Sequence, residues 1–235
     1  MLSKKVIKDI ESLHQKKFRD ETGLFLAEGP KVVEELLHLV PDQVLQVYAL
    51  AGWADGKEGV EVISEPDLQR LSTMKTPNQV VALLRQFTVK EPDASFVLYL
   101  DAIQDPGNLG TIIRTADWFG VKQVVCSAGC ADVYNPKVVQ ATMASIARVK
   151  VFYDREESWL QQQQVPVYAA SLHGESLSTF NKITTGILVI GNESKGIRKE
   201  YLDKATRRIT IPRRGEAESL NAAVATGILL AHLVG

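Results

Sequence analysis

Hydrophobic and polar positions fall into short blocks along this chain, and the period of the blocks changes from one half to the other. A mainly polar helix is predicted near Ser3–Leu13, followed by a strand-like "LFLAEG" at Leu24–Gly29. In "GPKVVEELLHLV" the apolar residues Val32, Val33, Leu36, Leu37 and Val40 recur at helical spacing, with Pro30 suited to a first turn. Strands are predicted at Leu45–Leu50, Glu61–Ser64 and Gln79–Phe87, the first two separated by the turn-rich "GWADGKEG". From Phe96 onward the apolar runs "FVLYL", "QVVCS", "VKVFY", "VPVYAAS", "GILVIG" and "RRITIP" are continuous and mostly separated by helix-length segments. Such runs suit parallel strands covered on both faces, so the predicted fold class is α/β with a mainly parallel sheet in the C-terminal part. The last helix, from Ser219 to about Val234, is apolar nearly all round, which suits a core helix or a subunit interface. Polar "TVKEPDAS", Thr88–Ser95, reads as a linker, which divides the chain into a small α/β domain over 1–90 and a larger one over 91–235.

Composition narrows the class without choosing a function. Of 235 residues, 45% are hydrophobic and 23% charged, as in an ordinary globular protein with a sizeable core. The formal net charge of -1 gives no global attraction to a polyanion, so nucleic-acid contacts would have to come from local basic clusters. Two such clusters occur: Lys4, Lys5, Lys8, Lys16, Lys17 and Arg19 near the start, and Arg207, Arg208, Arg213 and Arg214 near the end. The two cysteines, Cys126 and Cys130, are too few for a disulfide framework and have no neighbours at zinc-ligand spacing, so free thiols and no metal are expected. No apolar leader or membrane-length run occurs, and a cytoplasmic protein without membrane association is expected.

Candidate chemistry gathers where apolar runs end, which is where ligands collect in open α/β sheets. After "FVLYL" comes "DAIQDPGNLGTIIRTADWFG", in which Asn108 is placed to cap a helix with an apolar stripe of Leu109, Ile112, Ile113 and Ala116. Arg114 lies off that stripe and projects away from the core. After "ILVI" come Gly191, Asn192 and Glu193, then Lys195 and Gly196; neither the phosphate-binding P-loop nor the dinucleotide spacing is present. After "ITIP" the loop "RRGEAE" leads to Ser219, Leu220 and Asn221. Ser219 suits an N-cap, while Asn221, inside an otherwise apolar helix, requires partners, because an unpaired buried amide costs about 1–3 kcal/mol.

These three stretches together resemble the motifs of the SpoU/TrmH family of RNA ribose 2'-O-methyltransferases, in the SPOUT superfamily. "DPGNLGTIIRTADWFG" resembles the first motif, with Asn108 and Arg114 at its defining positions; "LVIGNESKGI" resembles the second, with Glu193; "IPRRGEAESLNAAVATGILL" resembles the third, with Ser219 and Asn221. The N-terminal "FRDETGLFLAEGPKVVEELL" is similar to the small ribosomal-protein-like RNA-binding domain that many members carry. Ser194 where glycine is common, and the charged "RRGEAE", depart from the usual pattern.

The resemblance implies a C-terminal trefoil-knotted methyltransferase domain, which general rules of chain threading would not suggest. It implies a homodimer built partly on the last helix, and S-adenosylmethionine held by strand-exit loops, with Ser171, Ile190, Gly191, Ile211 and Leu220 as contacts. It makes Arg114, Asn108, Glu193, Ser219 and Asn221 the catalytic set. Arg114 is implied to activate the hydroxyl, either by taking its proton or by gripping the RNA phosphate and stabilising the developing alkoxide, and Glu193 would hold Arg114 or the loop. Arg213, Arg214, Lys16, Lys17 and Arg19 would bind RNA. The implied substrate is a ribose 2'-hydroxyl of structured RNA, ribosomal RNA before transfer RNA. A non-catalytic RNA- or ribosome-binding protein of the same fold is the alternative from another class; a nucleotide-dependent oxidoreductase lacks its glycine fingerprint. The four histidines, His14, His38, His173 and His232, match no motif position and are expected to be structural or solvated.

Overall fold

The structure is a computed structural model describing residues 2–93 and 95–234; Met1, Ala94 of the expected linker, and Gly235 lie outside the described residues. The chain forms two compact units, Met1–Thr88 with Asp132–Ala147, and Val89–Ala131 with Arg148–Gly235.

The first unit opens with α1 (Lys4–Ser12), capped by the Ser3 hydroxyl, which accepts from Val6 N at 3.2 Å. After α2 (Lys16–Thr22), Gly23 takes φ +66°, the left-handed turn that releases the chain into β1 (Leu24–Glu28). Then come α3 (Pro30–Leu39), β2 (Val44–Ala49), the short α4 (Ala51–Ala54), β3 (Val60–Val62), α5 (Glu65–Leu71) and β4 (Val80–Arg85). Strand order is β1-β4-β2-β3, with β4 antiparallel to both neighbours and β2 parallel to β3. Ile7, Ile10 and Leu13 pack with Leu26, Tyr48, Leu68, Leu71 and Val81 in the core of this unit.

The second unit starts with β5 (Phe96–Asp101), α6 (Pro106–Trp118) and β6 (Gln123–Ser127). The next helix, α7 (Pro136–Thr142), belongs to the first unit, where it packs on β1. Residues 132–147 were expected in the second domain; side chains distant in sequence place them with the first. Tyr134 sets its ring 4.9 Å from that of Phe25, and its hydroxyl accepts from Phe87 N at 2.8 Å. Asp132 Oδ2 accepts from Arg19 Nη2 at 2.6 Å and Nε at 3.1 Å, while Arg19 Nη1 donates to Leu13 O at 2.8 Å.

The chain returns as β7 (Lys150–Asp154), α8 (Trp159–Gln162), β8 (Val167–Ser176), β9 (Gly186–Gly191), α9 (Lys199–Lys204), β10 (Arg207–Thr210) and α10 (Ala222–Leu233). All six predicted C-terminal runs are strands of one parallel sheet, ordered β10-β8-β9-β5-β6-β7. β5, β6 and β9 are buried along nearly their whole length, which explains why their sequences do not alternate. α10 packs against α6 and β9. Among the described residues, no helix is long and apolar enough to cross a membrane.

Arg19 corrects the expectation that it meets RNA: it is only 2% exposed and committed to Asp132. Lys16 and Lys17 remain on the surface, each paired one turn on, with Asp20 and Glu21. Removing one member of a buried ion pair leaves the other desolvated and uncompensated. Arg19→Ala should therefore lower unfolding free energy by about 3 kcal/mol in chemical denaturation. Lys16→Ala, at an exposed pair, should change it by less than about 0.5 kcal/mol.

Candidate functional site

The order of the parallel sheet reverses between β5 and β9: from β5 the chain builds outward to β6 and β7, then returns to the other side. The carboxyl ends of strands at such a reversal leave a crevice that is the natural ligand site of an open α/β sheet. A cavity of about 620 Å³ lies here, walled by Ile190, Gly191, Glu193 and Ile197 after β9, by Ile211 to Leu220 after β10, and by Ala170 to His173 of β8. Its β8 wall comes from a register jump. Arg208 pairs with Ala169 but Ile209 pairs with Glu175, so residues 170–174 have no partner on β10 and bow outward. Gly174 permits this, because a Cβ there would lie 2.5 Å from Arg208 O.

Asn221 decides the geometry beside the cavity. It caps α10, its Oδ1 accepting from Ala223 N at 2.9 Å and Val224 N at 3.3 Å. With the oxygen used, its Nδ2 donates to Asn108 Oδ1 at 2.9 Å. Asn108 Nδ2 in turn donates to Glu193 Oε1. The polarity of the whole chain of bonds follows from the cap. The second motif is folded as tightly: Asn192 N donates to Gly196 O and Gly196 N to Asn192 O, at 3.2 and 2.9 Å. A Cβ on Gly191 would sit 2.4 Å from Gly196 C, so only glycine fits.

Several expectations for single residues are corrected. Asp105, not Asn108, caps α6: its Oδ1 accepts from Asn108 N at 2.8 Å, with Pro106 opening the helix. Asn108 is thereby freed to turn its amide to the other two motifs. Ser219 caps nothing, because α10 starts at Ala222; Ser219 and Leu220 stand exposed on the cavity wall. Asn221 is an exposed cap and not a buried helix-interior amide. Glu193 bonds to Asn108 and not to Arg114, which is exposed and has no acid partner among the described residues. Ser171, Ile190, Gly191, Ile211, Leu220, Arg213 and Arg214 all line the cavity.

Sequence reading passed over other groups that shape the site. His173 lines the cavity on the bowed segment of β8. His14 and His232 are structural, each ring Nε2 near a backbone carbonyl, Leu71 O and Phe180 O, at 3.1 and 2.9 Å. Behind the cavity wall lies a polar network: Arg198 with Asp101, Glu157 and Tyr201, and Tyr99 with Tyr201 and Asp154. Burial pushes the Tyr201 hydroxyl up to about 12 and Tyr99 further, so both stay neutral at physiological pH. The hydrogen bond from Arg198 holds Glu157 below the usual carboxylate range. Of the cysteines, Cys126 is buried and Cys130 half-buried, its sulfur accepting from Ile103 N at 3.3 Å. Among the described residues no group of three or more His, Cys, Asp or Glu could hold a metal ion.

With this geometry in place, comparison with known proteins gives a consistent answer. Residues 4–82 match the MRM3-like substrate binding domain. The chain is 35% identical to the 23S rRNA (guanosine(2553)-2'-O)-methyltransferase RlmP of Bacillus subtilis, an alignment covering 97% of this chain and 96% of that one. A solved TrmH-family structure from Porphyromonas gingivalis superposes with a TM-score of 0.86 at 38% identity, covering 98% of this chain and 97% of the other. An AdoMet-bound rRNA methyltransferase from Sinorhizobium meliloti superposes with a TM-score of 0.84 at 32% identity, covering 98% and 94%. Residues 95–231, which hold the cavity and all three joined motifs, match the SpoU rRNA Methylase family, and the chain belongs to that family.

Proposed function

We propose that this chain transfers a methyl group from S-adenosylmethionine to a ribose 2'-hydroxyl of ribosomal RNA. The observation that carries the reading is the relay Asn221–Asn108–Glu193, which draws all three motifs together beside one cavity. The names of the relatives, rRNA 2'-O-methyltransferases, support the substrate. The residues present fit the cofactor. A cavity of about 620 Å³ lies in the range of small-molecule sites. Ile190, Ile197, Ile211 and Leu220 give it apolar walls, and the close backbone at Gly191 offers peptide groups in place of side chains. When bound, the cofactor supplies a methyl group activated on a sulfonium.

The chain's own residues then have to align the hydroxyl and favour its ionisation. Alignment of two reacting groups is itself worth several kcal/mol. The planar guanidinium of Arg114 grips the phosphate and stabilises negative charge growing on the ribose oxygen. Its exposure and lack of an acid partner among the described residues leave that charge available. Ser219, on the cavity wall, orients the ribose, while Asn108 and Glu193 hold the wall itself. Arg213 and Arg214 meet phosphates along the rim, and Lys16 and Lys17, exposed on the first unit, bind RNA there.

The working form is a cytoplasmic homodimer. α6 and α10, packed together, leave Trp118 85% exposed, with Val224 and Ile228 open on α10, an apolar surface a second copy would cover.

Transfer of labelled methyl to ribosomal RNA, with mapping of 2'-O-methyl positions, tests the function; no ribose methylation by active, cofactor-binding protein would overturn it. Arg114→Lys should lower kcat about 100-fold with little change in cofactor affinity, because one ammonium cannot replace an oriented fork. Asn221→Asp keeps the helix cap but sets a carboxylate against Asn108 Oδ1. It should cut methylation roughly tenfold while thermal stability stays near that of the parent. Arg213→Ala should weaken RNA binding and reduce its salt slope by about one unit, measured by titration at several salt concentrations.

A further inference from the structure

Asp101 is the last residue of β5 and is fully buried, so its carboxylate must find donors inside the protein. One residue supplies both of them. Arg198 donates its backbone N to Asp101 Oδ2 at 2.7 Å and its Nε to Oδ1 at 2.8 Å. The rest of the guanidinium is equally engaged: Nη1 donates to Glu157 Oε2 at 2.5 Å and Nη2 to the Tyr201 hydroxyl at 2.7 Å, with Cζ 4.5 Å from the Tyr201 ring centre. Three nitrogens spread in one plane reach three different partners, a span that the single nitrogen of an ammonium does not cover.

The position of Arg198 in the chain gives this clamp its meaning. It directly follows the segment Asn192–Ile197 that forms one wall of the cavity. The near end of that segment is fastened to the next residue of the same strand exit, Asn192 Nδ2 donating to Ala102 O at 2.9 Å. Asn192 Oδ1 also accepts from Ser194 N and Lys195 N, at 2.9 and 3.1 Å. The next residue, Glu193, accepts from Asn108, further along the β5 exit. The loop after β9 is thus joined to the segment 101–108 at both of its ends, by Asn192 and Glu193 at the near one and by Arg198 at the far one. Ala102, between two of these joints, holds φ +54°, a conformation a residue with a side chain keeps only when its surroundings impose it. Neither Asp101 nor Arg198 lines the cavity, so whatever they do there they do through Glu193 and Ile197.

We infer that Arg198, bound to Asp101, is a positioning residue of the methyl-transfer site: it pins the far end of the β9 exit loop, keeping Glu193 on Asn108 and the cofactor wall in shape. This inference rests on the function proposed above. The test uses the full chain and three variants, Arg198→Lys, Asp101→Asn and Glu157→Gln. For each, S-adenosylmethionine affinity is measured by calorimetry without RNA, kcat and KM for RNA by methyl transfer, and stability by thermal unfolding.

Arg198→Lys and Asp101→Asn should raise the cofactor Kd about tenfold and lower kcat about tenfold, with KM for RNA within about twofold of the parent. Glu157→Gln, at a partly exposed partner, should move both in the same direction by about threefold. A variant that melts earlier but shows parental Kd and kcat well below its melting temperature would overturn the inference, because a merely structural clamp predicts that result. If the first two variants do not fold, Glu157→Gln decides alone: an unchanged Kd overturns the inference and a raised one supports it. Should the parent bind cofactor yet methylate no ribose, the proposed function fails, while the Kd series still decides the role of Arg198.

Discussion

The amide of Asn221 can face only one way. Two backbone N–H groups at the start of α10 take its oxygen, so its nitrogen must point outward, and among the described residues its acceptor is Asn108 Oδ1. Asn108, committed as an acceptor there, must present its own nitrogen to Glu193. A requirement of helix termination, that orphan N–H groups find acceptors, thereby orients a carboxylate on a loop from a different strand. Three segments far apart in the chain share one hydrogen-bond direction, and reversing either amide leaves two like atoms facing each other. The bowed segment of β8, the Gly191 turn and the exposed loop before α10 wall the cavity beside this line.

The chemistry that fits such a site uses little acid–base machinery. No histidine stands in the relay, and the Glu193 carboxylate there already accepts from an amide. What remains is a guanidinium left exposed on α6 and a cavity whose walls are tied from behind. The division of labour is physical. Charge with no acid partner among the described residues stays on the surface, as at Arg114, and paired charge, as at Asp101, Arg198 and Glu157, lies behind the cavity wall.

Much of this was legible in the sequence, and the exceptions have identifiable causes. The six strands of the second unit were visible because strands buried on both faces leave uninterrupted apolar runs, and the three clusters because polar residues follow those runs. Which strands are neighbours was not visible, since crossover length does not encode sheet order. The helix starts were misread at Asn108 and Ser219 for one reason: each lies near a better-placed cap, Asp105 before Pro106 and Asn221 before the apolar run, and composition cannot rank adjacent cap residues. Arg19 was read as surface charge because its partner Asp132 lies 113 residues away; Arg198 was passed over because Asp101 lies 97 residues away. Side chains whose role is set by long-range pairing carry no local signature.

The placement of α7 also bears on how this architecture can be taken apart. The polypeptide passes between its two units three times, after Thr88, after Ala131 and after Ala147. The first unit is therefore not a bead on a string that could be exchanged by a single splice. A cut after Thr88 would strip Phe25 and Phe87 of the Tyr134 ring and leave the Arg19 guanidinium buried without its carboxylate. Recombination that transplants this unit between relatives would have to carry two inserts in register, or it would deliver a fragment lacking part of its own core. Such a chain is expected to diversify by substitution on its surfaces more readily than by shuffling of its parts.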